Sequence, residues 1–123
     1  MKRRIGKLAP AISAFFCSAA FGGSVTCSGT VEAISFHSNN TFMIRLNSMN
    51  TAVFFCSPDS TFSVPGTTYT TGPETCKALI AMFIAARESG RTIQSLYFDG
   101  DAVPATCDGW GNWSSANIRF FNY

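Results

Sequence analysis

The sequence predicts a small, mostly β domain with one α-helix, which follows an N-terminal signal peptide. Three observations lead to this prediction. The chain begins with a basic segment and a short apolar one, and an even number of cysteines, four, follows them. The remainder alternates stretches of β-branched and aromatic residues with turns of Ser, Asn and Gly. Its hydrophobic period becomes helical only once, between residues 73 and 89.

The first 23 residues have the composition of a secretory signal peptide. Lys2, Arg3, Arg4 and Lys7 precede an uncharged stretch of apolar or small residues at 8–21, which is the order typical of an export signal. The stretch is short for a membrane span, and no basic stop-transfer segment follows it. We therefore expect a signal peptide over 1–23, one domain over 24–123 without an integral membrane segment, and secretion via the periplasm.

Loss of the signal peptide would change the charge of the protein. The whole chain has nine Lys and Arg against seven Asp and Glu, a net charge of +2. Four of the nine basic residues lie in the signal peptide, so five remain against seven acids and the exported domain is near −2. Because nucleic-acid-binding domains carry clustered Lys and Arg, this balance argues against a nucleic-acid partner.

The four cysteines of the exported domain predict two disulfides, as is typical of small secreted domains. A zinc site is the weaker interpretation, since the chain has one His and no C-x-x-C pair. Cys56 ends the third predicted strand and Cys76 begins the helix, so the two can be neighbours. Cys27 and Cys107 are then left to pair with each other.

The elements follow in a simple order. Strands are predicted at 25–36, 41–46 and 51–56, separated by Ser/Asn turns, and an ordered loop at 57–71 follows them. The helix has Thr71 or Gly72 as its N-cap, Pro73 at its first position and Gly90 as its C-cap. Strands at 91–98 and 114–123 flank a Gly/Asp loop. Three strands, a helix and two strands are the order of the OB-fold, a five-stranded Greek-key barrel with a helix between strands three and four.

The helix is apolar on most of its circumference. One face carries Cys76, Leu79 and Phe83, and the opposite side carries Ala81, Ile84 and Ala85. A helix of this kind is buried on more than one side. In a domain this small, a second copy of the protein is a plausible cover for the second face.

Catalytic and metal-binding patterns are weak in this sequence. His37, the one histidine, lies in a Ser/Asn turn, which suits a solvated residue better than a general base. Asp99 and Asp101 flank Gly100, a pattern more typical of a turn than of a Ca²⁺ site. No Ser or Cys lies in a nucleophile motif. We expect a protein that is not an enzyme and that needs no cofactor.

Binding of sugars is better supported by the composition. Ser, Thr, Asn, Tyr and Trp are abundant and Lys is scarce, which suits hydrogen bonds to sugar hydroxyls and stacking on apolar sugar faces. Trp110 and Trp113 could serve such a site. Plugging the end of the barrel is the interpretation that we favour for these two tryptophans.

Several short motifs, distributed over most of the exported domain, carry a family resemblance: Ser28-Gly29-Thr30-Val31, Phe36-His37-Ser38, Phe54-Phe55-Cys56, Ser89-Gly90 after the apolar helix, and Tyr97-Phe98. In these motifs the chain resembles the B subunits of the subtilase cytotoxin and typhoid toxin group of AB5 toxins.

The resemblance implies a function and a site. It implies an OB-fold that forms a homopentamer, binds sialylated host glycans at the cell surface and delivers a catalytic A subunit. Ser28 occupies the place of the family's glycan-binding serine, and Tyr97 matches a tyrosine of the same pocket. The alternatives are a secreted or periplasmic binding or inhibitor module without a toxin role, and an oligonucleotide-binding OB domain, which the acidic balance disfavours.

Overall fold

The computed structural model describes residues 6, 9–11 and 23–123. The predicted signal peptide, 1–23, therefore lies almost entirely outside the described residues. In chain order the described elements are β1 (Gly23–His37), β2 (Thr41–Leu46), β3 (Val53–Cys56), α1 (Pro73–Ser89), β4 (Thr92–Gly100) and β5 (Asn117–Asn122). This described part of the chain is mostly β with one helix between the third and fourth strands, as the sequence predicts.

The five strands form one antiparallel sheet in the order β3-β2-β1-β4-β5. The long first strand joins the two halves of this sheet. Its second half, from Val31 to His37, pairs with β2, and its first half, from Gly23 to Thr30, pairs with β4. β2 and β4 are the direct neighbours of β1, and β3 and β5 form the two edges of the sheet.

The sheet is not closed into a barrel, which corrects the predicted five-stranded barrel. The two edge strands approach through one parallel bridge between Phe54 and Ser115. The Phe54 N–H donates to the Ser114 carbonyl at 3.0 Å, and the Ala116 N–H donates to the Phe54 carbonyl at 3.0 Å. The pairing between the two edges does not extend beyond this bridge, because β3 has only four residues and β5 begins only at Asn117.

The helix packs across both edges of the sheet. The Phe83 ring meets Phe55 of β3 with 5.3 Å between centroids and Phe121 of β5 with 5.0 Å. Pro73 is the first helical residue, and Gly90 ends the helix in the left-handed conformation at φ 67°, which L side chains disfavour. The buried face consists of Cys76, Leu79, Phe83 and Ala86.

The opposite face of the helix is exposed among the described residues. Ala81, Ile84 and Ala85 are exposed, and Ile84 is 49% exposed. Met82 is also exposed. The expectation of a helix buried on more than one side is therefore not met in the described part of the chain, and a second copy as the cover of this face stays a prediction.

Two disulfides cross-link the domain. Cys27 of β1 pairs with Cys107, and Cys56 at the end of β3 pairs with Cys76 of the helix, which is the pairing expected from the sequence. Bridges that close loops of 80 and 20 residues contribute roughly 3–4.5 kcal/mol each in the chain-entropy model. In the described part of the chain, no helix is long and apolar enough to cross a membrane.

A glycine allows β1 to pass from one half of the sheet to the other. Gly29 has φ 144°, and a Cβ there would collide with the Asn47 side-chain oxygen. That oxygen accepts the Thr30 N–H at 3.2 Å, and the Asn47 N–H donates to the Thr30 carbonyl at 3.0 Å. Only glycine fits both the backbone angle and the space.

We expect Gly29→Ala to lower the free energy of unfolding of the oxidised protein by roughly 1–3 kcal/mol, because it forces an L residue into a glycine-only conformation. Urea denaturation followed by circular dichroism measures the change. Gly72→Ala is the matched control, since Gly72 has φ −76° and free space around its Cβ position; its cost should be below about 1 kcal/mol. Equal losses for the two variants would contradict this account of β1.

Candidate functional site

The two residues implied by the resemblance lie on adjacent strands of the same outward face. Tyr97 on β4 pairs with Thr26 on β1 and with Phe120 on β5. Thr26 and Ser28 are both exposed, while Cys27 between them is buried. Thr26 is therefore the direct neighbour of Tyr97. Ser28 lies two residues further along β1, at the register shift between Cys27 and Gly29, and it shares the outward face with Thr26.

A cation adjoins Tyr97 on this face. The Arg119 guanidinium lies 4.0 Å from the centroid of the Tyr69 ring and 5.4 Å from that of Tyr97, both within the range of cation–π attraction. Arg119 has this position because of a β-bulge: Tyr97 pairs with Phe120 and Phe98 with Ile118, so Arg119 is the extra residue between them. Bulges commonly redirect a side chain in this way.

A buried carboxylate holds the guanidinium in place. Asp99 is 5% exposed, and its Oδ2 lies 2.9 Å from Arg119 Nη2. The Asn117 side-chain amide donates to Asp99 Oδ1 at 2.9 Å, and the Thr67 hydroxyl donates to Oδ2 at 3.2 Å. The Thr71 hydroxyl in turn donates to the Asn117 side-chain oxygen at 3.0 Å. A charge this deeply buried is tolerated because it is paired and hydrogen-bonded.

The loop before the helix completes the site. Thr67, Tyr69 and Thr71 all come from the segment that joins β3 to α1, and all three contact residues of β4 or β5. The loop therefore covers Asp99 and presents the exposed Tyr69 ring beside Arg119. We name Ser28, Tyr69, Tyr97 and Arg119 the outward cluster.

The chemistry of the outward cluster suits an anionic, hydroxyl-rich ligand. A guanidinium has five N–H donors in a planar fork, and the recorded contact with Asp99 uses one terminal nitrogen. The Arg119 side chain remains 43% exposed, so the guanidinium is partly open to solvent. Two tyrosine rings add aromatic surface beside this cation, and the Ser28 hydroxyl adds a hydrogen-bonding group two strands away on the same face.

Sequence reasoning missed Arg119 and Tyr69. A strand pattern does not show where a bulge falls, and a loop pattern does not show which strand the loop crosses. The available signal was Asn117-Ile118-Arg119-Phe120, in which a charged residue interrupts a strand that otherwise ends in apolar side chains.

The other residues singled out from the sequence do not converge on a reacting centre. His37 is half-buried, accepts the Asn39 N–H on Nδ1 at 3.3 Å and packs edge-on against Phe54 and Trp113. Asp99 lies in β4 rather than in the predicted loop, while Asp101 is exposed. Among the described residues, no group of three His, Cys, Asp or Glu could hold a metal ion.

The two tryptophans have different environments. Trp110 is 3% exposed and packs against Phe98 with 5.1 Å between ring centroids, so it fills the core as expected of a plug. Trp113 is 68% exposed. The prediction that both tryptophans plug the fold is therefore wrong for Trp113.

Comparisons of the chain with family models, with curated proteins and with solved structures give no match.

The buried carboxylate generates a stability prediction. Asp99→Ala would leave the Asn117 amide and Arg119 without their acceptor, and we expect it to cost roughly 1–3 kcal/mol in the free energy of unfolding. Asp108→Ala is the control, because Asp108 is exposed and surface changes of this kind stay within about 0.5 kcal/mol. Urea denaturation of the two oxidised variants measures the change. If Asp99→Ala unfolds at the same urea concentration as wild type, the hydrogen-bond network around Asp99 does not hold Arg119 in place.

Proposed function

We propose that this chain is a secreted glycan-binding B subunit of the AB5 toxin type, which recognises sialylated host glycans and delivers a catalytic A subunit. The observation that carries the proposal is the outward cluster. It places Arg119 over Tyr97, the tyrosine implied by the family resemblance, on the face that also exposes Ser28.

The topology supports an OB-fold for this subunit. The strand order β3-β2-β1-β4-β5, a first strand shared between β2 and β4, and a helix between β3 and β4 agree with the connectivity of that fold. The parallel bridge between Phe54 and Ser115 lies where the two edges of an OB-fold meet. OB-folds are partly open barrels, and an incomplete ladder between the edge strands is compatible with that description.

A terminal sialic acid matches the cluster chemically. Its carboxylate would accept a hydrogen bond from the Ser28 hydroxyl, its ring would pack against Tyr97, and the Arg119 guanidinium would donate to oxygens at the other end of the sugar. Arg119 provides the positive charge that a domain with a net charge near −2 otherwise lacks at an acidic ligand. Neighbouring strands lie about 4.8 Å apart, so the cluster extends about 10 Å from β1 to β5 and offers several contacts to one terminal sugar.

The uncovered helix face supports assembly into a homopentamer. Ala81, Ile84 and Ala85 are small or apolar and exposed, and side chains of this kind commonly mark an interface. In a closed ring this face would pack against a neighbour or line the central pore. The two disulfides are typical of an exported protein.

The proposed site generates a binding prediction. Ser28→Ala should remove a hydrogen bond to the carboxylate, which is worth roughly 1.5–3 kcal/mol per site. A ring of several sites would magnify the loss in cell binding. A glycan array probed with the oxidised protein measures the effect, and Ser38→Ala, in the exposed β1–β2 turn, is the matched control.

Equal sialylated-glycan signals from wild type and Ser28→Ala would overturn the assignment of Ser28. If wild type binds no glycan but captures an exported enzyme, the alternative of a secreted or periplasmic inhibitor module replaces the proposal.

The assembly generates a separate prediction. Multi-angle light scattering of the oxidised protein at micromolar concentration should show a closed oligomer, which we expect to be a pentamer. Ile84→Glu should dissociate it, because a carboxylate would be buried in the interface. Thr75→Glu, exposed in the first turn of the helix, should leave the oligomer intact. A monomer mass for wild type would contradict the proposed ring.

A further inference from the structure

A cleft of about 350 Å³ lies on another part of the molecule, lined by Met43, Thr51, Asn112 and Trp113. It is separate from the outward cluster. Met43 of β2 is paired with Ser35 of β1, nine residues along that strand from Thr26, the partner of Tyr97. No step of the proposed sialylated-glycan binding uses this cleft.

Trp113 dominates the cleft and has an unusual conformation. Its φ is 61°, in the left-handed region that bulky residues rarely occupy. The tight turn that contains it is closed by the Ser114 hydroxyl, which donates to the Gly111 carbonyl at 2.8 Å. Glycine or asparagine would satisfy this turn with less strain. A strained residue at a cleft suggests a functional reason for its identity.

The indole packs against two rings but is not covered. It stacks on the buried Phe54 ring with 6.1 Å between centroids and 25° between planes, and His37 meets it edge-on at 5.7 Å. Its backbone adjoins the bridge that joins β3 to the segment before β5, since the Ser114 carbonyl accepts the Phe54 N–H. The residue is nevertheless 68% exposed. Trp113 therefore presents an aromatic surface to solvent.

The lining of the cleft selects an uncharged ligand. None of its four residues is charged, and the polar groups are the Asn112 amide and the Thr51 hydroxyl. An amide offers both donors and acceptors, and a hydroxyl offers one donor and two acceptor lone pairs. A flat aromatic surface beside such groups is complementary to a pyranose ring, which has an apolar C–H face and hydroxyls at its edge.

We infer that this cleft is a second binding site, for a neutral saccharide, in which Trp113 is the stacking platform and Asn112 and Thr51 bond the ring hydroxyls. The inference does not rest on the sialylated-glycan site, because it uses different residues and a different ligand chemistry.

Titration with lactose, cellobiose and chitobiose tests the inference, with the tryptophan indole N–H signals followed by ¹H–¹⁵N NMR. The chain has two tryptophans, so each signal reports one environment. We expect saturable shifts of the Trp113 signal with at least one disaccharide and no shift of the buried Trp110 signal. Stationary Trp113 signals with all three sugars, or shifts only with a proline-rich or apolar peptide, would overturn the inference.

Trp113→Gly separates binding from folding, because glycine suits the positive φ. We expect this variant to keep the wild-type urea midpoint within error and to weaken disaccharide binding at least tenfold by calorimetry. Phe120→Ala, which truncates an exposed aromatic outside the cleft, should bind neutral sugars as wild type does. Unchanged binding by Trp113→Gly would contradict the inference, and if that variant does not fold, the wild-type NMR titration still decides it.

Discussion

The structure depends on one strand that serves two partners. The first half of β1 pairs with β4 and its second half pairs with β2. Gly29 lies between the two halves and is the only residue type that its backbone angle and the adjacent Asn47 allow. The disulfide from Cys27 fixes β1 two residues before that glycine. Among the described strands, β1 is the one that pairs with a strand of each half of the sheet, β2 on one side and β4 on the other.

The candidate site is a consequence of the same arrangement. Because β1 and β4 are neighbours, an exposed serine on one and a tyrosine on the other share a face. The bulge in β5 adds Arg119, and the loop that returns to the helix adds Tyr69 and protects the carboxylate of Asp99. An exposed arginine on a strand is a mobile side chain, but a buried partner fixes its position. This pre-organisation lowers the entropy lost when a ligand binds.

The elements with strong local signals could be predicted from the sequence. Pro73 and Gly90 mark the two ends of the helix, and β2 has the predicted bounds of 41–46. Cys56 and Cys76 pair because they follow one another across a single loop.

Features that depend on tertiary contacts could not be predicted. The third strand begins two residues later than expected, at Val53, and the fifth begins three residues later, at Asn117. The residues at 114–116, predicted as the start of the fifth strand, form only the short bridge to Phe54. The sheet stays open because both edge strands are shorter than predicted. Arg119 lies at a β-bulge, and Trp113 has a positive φ. Neither feature changes the hydrophobic periodicity from which strands are predicted.

NMR mapping of the oxidised protein with a sialylated trisaccharide decides whether the outward cluster binds glycans. We expect saturable shifts at the backbone amides of Ser28, Tyr97 and Arg119 and at the Arg119 side-chain Nε–H, while the corresponding uncharged lactose leaves these signals in place. An unchanged spectrum at millimolar trisaccharide, or shifts confined to residues outside the outward cluster, would contradict the assignment of this site.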